Sequence, residues 1–190
     1  MTTRRRTIWL ALALSAVACA TFFTYDYAVR NADAERAARI ANEAIAQAVR
    51  LSEKAQQRSL AAQSALTREN FQTHRAELSE QARAAAALSR EAALLYRQAA
   101  ETIEDARSFA RSEHAREYWD LQRNSLERRA DAAQFAAEAN SLAADESILD
   151  YDTMLVRLHP ITTRADAARQ DSVRDAEKAK RIYEKHQGKL

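Results

Sequence analysis

Glycine is missing from this chain until Gly188, and its only proline is Pro160. These two residue types ordinarily stop helices, while alanine, at 44 of the 190 positions, has the highest helix propensity. Nearly the whole chain is therefore free to be α-helix. The same absence removes the catalytic motifs built on glycine, including phosphate-binding loops, the dinucleotide fingerprint and the nucleophile elbow.

Alanine also limits how the helices can pack. It supplies much of the 47% apolar content, and so small a side chain buries little area at roughly 25 cal/mol per Å². The expected body is thin, with helices side by side rather than wrapped around a deep core. Long helices, self-association or a partner would then supply further burial.

Charge is distributed unevenly only at the start. Arg4, Arg5 and Arg6 precede the first acid, and from Asp26 onward the chain carries 27 acidic and 26 basic residues. A body so balanced lacks the basic face of a nucleic-acid-binding protein. The single cysteine, Cys19, excludes an intrachain disulfide.

Ile8 to Tyr25 is a run of eighteen residues without a charge, set between the three arginines and Asp26. As a helix it would be about 27 Å long, close to the hydrocarbon thickness of a bilayer. Trp9 lies near one end and Phe22, Phe23, Tyr25 and Tyr27 near the other, where aromatic rings favour the membrane interface. Residues 1–27 are thus expected to form a single-pass anchor and residues 28–190 an exported body. The arginines would stay in the cytoplasm, placing the body on the periplasmic side of a bacterial inner membrane. The same residues admit two other fates. Ala16-Val17-Ala18 and Ala18-Cys19-Ala20 fit the small-residue pattern of a cleavable signal peptide. Ala16-Val17-Ala18-Cys19 resembles a relaxed bacterial lipobox, a resemblance that implies a lipidated Cys19. All three fates put the body outside the cytoplasm.

Within the body an apolar stripe repeats every seven residues: Ala34, Ala41, Ala48, Ala55 and Ala62, with Ala37, Ala44, Leu51 and Ala65 three places later. Arg58 is the exception. A second stripe runs from Leu78 through Leu88, Leu95 and Ile103 to Phe109, and a third from Tyr118 through Leu121, Ser125, Ala132 and Phe135 to Ala143. These stripes are out of phase. Sixteen steps from Ala62 to Leu78 turn the apolar face by about 160°, and twelve from Ala106 to Tyr118 turn it by about 120°. Turns are therefore expected at Thr67 to His74, around Asn70, and at Arg111 to Glu117, where Ser112 would cap a new helix. A continuous helix with a stutter is the competing arrangement. His159-Pro160 is expected to stop a helix, and Thr163 with Asp166 to start the last one. The fold class expected is all-α, an elongated antiparallel bundle or coiled coil of about four helices behind the membrane helix.

Helical metal motifs do not require glycine, so they call for a separate check. No histidine among His74, His114, His159 and His186 follows a glutamate by three places, and no His-Glu-x-x-His occurs. Glu113, His114, Glu117 and Tyr118 read as a salt-bridged surface or turn. Asp145, Glu146, Asp150 and Asp152 read as caps near a bend rather than a calcium loop. No catalytic, cofactor or metal residue is assigned, and an enzyme is not expected. The expected function is holding or spacing protein partners, or copies of the chain, by helix-face association. Leu51, Leu88, Leu95, Phe109, Leu121 and Phe135 would carry the burial, with Tyr118 and Trp119 as an aromatic pair serving core or partner. The alternative is an exported four-helix ligand-binding or sensory module that works through a second protein.

Overall fold

The computed structural model describes residues 32–61 and 67–186. Every regular element among them is a helix: α1 over 32–61, α2 over Arg75–Ser108, α3 over Glu113–Ala143 and α4 over Tyr151–Lys185. The anchor segment Ile8 to Tyr25 lies outside the described residues, and within them no helix is long and apolar enough to cross a membrane.

Consecutive helices run antiparallel. Arg58 near the end of α1 donates to Gln81 near the start of α2 (3.2 Å). Arg107 at the end of α2 pairs with Asp120 of α3 (2.5 Å), and Ser125 of α3 meets Ser172 of α4 (3.0 Å). α3 packs along both α2 and α4, while α2 and α4 hardly touch. The third helix is thus the shared spine. Over the described residues the seven-residue stripe of α1 points inward as expected, with Ala37, Ala41, Ala48 and Ala55 buried and Arg58 exposed; Ala62 and Ala65 lie outside them. Ala41 and Ala48 join Ala92, Tyr96, Ala99, Ile103, Leu126 and Ala130 in the main core. A second cluster around Phe71, Leu78, Ala143, Ile148 and Met154 closes the end where α2 and α4 begin.

Side chains make the turns that glycine would ordinarily make. Before α2, the Asn70 carboxamide accepts from the Thr67 amide (2.7 Å), and its carbonyl accepts from the His74 amide (3.1 Å). The second turn lies where the stripe phase changes: Ser112 caps α3 by accepting from the Ala115 amide (2.9 Å). At the far end of α3, Arg75 donates to the carbonyls of Ala143 and Asp145, and Ser79 donates to that of Ala144. Carbonyls that a helix end leaves unpaired are so satisfied by its neighbour. Burial holds the Arg75 guanidinium below its usual pKa, partly offset by Asp145 and Glu146.

Pro160 corrects one expectation. It does not stop a helix but sits inside α4, and Thr163 caps nothing. Asp150 is the cap instead, accepting from the Thr153 amide (2.7 Å). Proline leaves the Val156 carbonyl without its helical donor. That turn faces solvent, since Val156 is 73% exposed, so water can take the donor's place. The Thr162 and Thr163 hydroxyls add bonds to the His159 carbonyl (3.0 and 2.9 Å). Buried Met154 and Ala165 anchor α4 on either side of the proline.

The connection before α4 is acid-sensitive. Asp145 is held below the usual carboxylate range by Ser147, Glu146 by Ser79 and Arg83, and Asp150 by Thr153. Carboxyls with depressed folded pKa values stabilise above their unfolded pKa, and that contribution is lost as pH falls through the folded value. Two outcomes follow. Stability measured by urea unfolding should decline as pH drops below about 4, and Glu146→Gln should make that decline shallower; an unchanged slope would contradict the assignment. Pro160→Ala should raise stability by about 1–3 kcal/mol, read from helical circular dichroism in the same titration, and a loss would show that proline is required at that turn.

Candidate interaction faces

The residues expected to associate are all half-buried. Leu51 of α1, Leu95 of α2 and Trp119 of α3 pack against the same main core. Leu88 and Leu121 lie on α2 and α3, and Phe109 is the residue at which α2 ends. Phe135 is covered by the Arg164 guanidinium of α4, 4.1 Å from the ring centre, a cation–π contact. The buried large apolar side chains are others: Phe71, Leu78, Tyr96, Ile103, Leu126, Ile148 and Met154.

Aromatic side chains gather where α3 begins and α4 ends. Tyr118 meets Trp119 edge-on at 4.8 Å and lies 6.0 Å from Tyr183. Burial pushes the Tyr118 phenol above its ordinary pKa, and Gln122 pulls the other way through a hydrogen bond. His114 stacks on His186 with ring centres 3.8 Å apart. Among the described residues no group of three or more His, Cys, Asp or Glu side chains could hold a metal ion.

Exposed large apolar side chains lie mostly elsewhere. Leu155, Val156, Val173 and Tyr183 of α4 are at least 44% exposed, as is Leu149 just before it. Leu155 and Val173 are eighteen residues apart, five full turns, and so share one face. Reading Pro160 as a stop hid this alignment, because it divided the two residues between separate segments.

Beside that face is a cleft. Its floor is α3, its walls are α1 and α4, and α2 contributes at its base, enclosing about 610 Å³. A smaller recess of about 270 Å³ extends it toward the start of α4, with Ser59, Ala136, Asn140 and Arg169 common to both. Ser59 donates to the Asn140 carboxamide across the floor (2.9 Å).

No family model, curated protein or solved structure matches this chain.

Core and surface roles separate in two substitutions. Trp119→Ala should cost about 2–4 kcal/mol, since it empties space against the main core, whereas Val156→Ser should leave stability nearly unchanged. Urea unfolding of both variants measures this. A silent Trp119→Ala would remove Trp119 from the packed core.

Proposed function

We propose that the chain is a membrane-tethered helical bundle that binds or spaces protein partners on the non-cytoplasmic side, as a subunit of a larger assembly. The observation that carries this reading is the exposed aliphatic face of α4, with Leu155 and Val173 in line along it and Val156 beside them. A helix that keeps such side chains in water gains by covering them, and helix-face association is how a bundle does so. The uncharged run Ile8 to Tyr25 behind three arginines supports the tether and its direction. The balanced charge of the body favours protein over nucleic acid as the partner.

The full chain, expressed in a bacterial cell, tests the reading. A periplasm-dependent reporter fused after residue 190 should be active, and the protein should remain with membranes after a salt wash. A photo-activated cross-linker at Val156 should give discrete adducts, while the same group at exposed Glu138 should not. A soluble protein with an inactive reporter would overturn the tether. Equal labelling from Val156 and Glu138 would overturn the partner face.

A further inference from the structure

The arginines of α3 are not used alike. Arg123 pairs with Glu104 (2.6 Å), and Arg128 takes both Asp171 and Asp175 (2.8 Å each). Arg129, the next residue, has no carboxylate within 4.0 Å among the described residues. Its Nε donates to the Ser172 hydroxyl (3.2 Å), and the side chain lines the cleft. Arg169 is the other charged residue on that lining, and no Asp or Glu contributes to it. Arg169 itself pairs with Asp166 in the adjoining recess (3.0 Å). The main cleft is therefore a positive, partly desolvated space.

Two hydroxyls open onto the same space. Tyr96 is 6% exposed and Ser89 is 3% exposed, both line the cleft, and neither hydroxyl has a hydrogen-bond partner among the described residues. Their oxygens are not sealed off from water, so each faces the cleft and can bond a ligand that displaces that water. Beside them the floor is alanine, at Ala132, Ala133 and Ala136. An unmatched guanidinium, unpaired hydroxyls and an apolar floor in a space of this size describe a small-molecule pocket.

We propose that the cleft binds a small organic carboxylate, with its anionic group on Arg129, hydrogen bonds to Tyr96 and Ser89, and an apolar body over the alanine floor. Guanidinium is suited to this because its planar fork matches a carboxylate with two parallel N–H donors. The lining has no acid to receive an ammonium group, and Asp166 of the adjoining recess already pairs with Arg169 (3.0 Å), so the site favours an anion over an amine. The cleft borders the exposed face of α4 through Val173, but its binding groups lie on α2 and α3 and do not depend on the tether.

Calorimetric titration of the full chain in a non-ionic detergent tests the assignment, with benzoate, 4-hydroxybenzoate and hexanoate as probes and benzylamine and inorganic phosphate as controls. At least one carboxylate should bind, and benzylamine should not. Arg129→Gln should weaken that binding about tenfold or more, with Arg129→Lys intermediate because it keeps the charge and loses the fork. Tyr96→Phe should weaken it about threefold, through one lost hydrogen bond. Thermal unfolding confirms that each variant is folded, and Arg129→Lys and Tyr96→Phe carry the test if Arg129→Gln is not. The proposal is overturned by no binding of the three carboxylates, by equal affinity in the folded Arg129 variants, by benzylamine binding as tightly as benzoate, or by phosphate binding more tightly than any carboxylate.

Discussion

Close approach of helix to helix through alanine is the constraint on which the bundle rests. Ala41 and Ala48 of α1, Ala92 and Ala99 of α2 and Ala130 of α3 are almost fully enclosed and meet in one core. Small side chains give dispersion contacts and backbone proximity instead of large buried area each. Larger residues such as Leu51, Leu95 and Trp119 then fill in around these seams, half-buried. A core of this kind leaves room for polar groups near the axis: Ser89, Ser125, Asn140 and Ser172 are all buried. The cleft follows from the same economy of volume, because small residues on α3 leave the space between α1 and α4 unfilled.

Ending helices without glycine calls for donors from other elements. A left-handed glycine lets a helix satisfy its own last carbonyls. Here Arg75 and Ser79 reach from α2 to the carbonyls of residues 143–145, and Arg75 also lies over the Phe71 ring at 5.2 Å. A cation among these terminal carbonyl oxygens complements the negative end of α3. The second core cluster forms around this junction, so capping and packing there are one structure.

How much was legible in the sequence depended on how many sides each helix buries. The stripe of α1 could be read because its inward positions form one clean heptad pattern. The stripe of α3 captured Ser125, Ala132 and Ala143 but missed Leu126, Ala130, Ala133 and Ala137, which are buried because α3 packs on two neighbours. Ser112 could be identified as a cap because a phase change and a capping residue coincided there. Pro160 misled, since its cost depends on whether water reaches the carbonyl four residues earlier, and exposure is a tertiary property. The cleft gave no sequence signal at all. Arg128 and Arg129 are adjacent and chemically identical, and only the 100° step of the helix sends one to Asp171 and Asp175 and the other to the Ser172 hydroxyl and the cleft.

α4 packs along α3, and much of that fastening is polar. Ser125 with Ser172 and Arg128 with its two aspartates stand beside the enclosed Met154, Ala165 and Ala179 of α4. Elements with few enclosed apolar contacts separate at lower free energy than the whole domain unfolds. Separation of α4 from α3 would leave a three-helix unit of α1, α2 and α3. Such an opening would bare the floor of the cleft and offer α3 an edge for another helix to occupy. Exchange of α4 between two copies would need no new surface, only the interface already built within one chain.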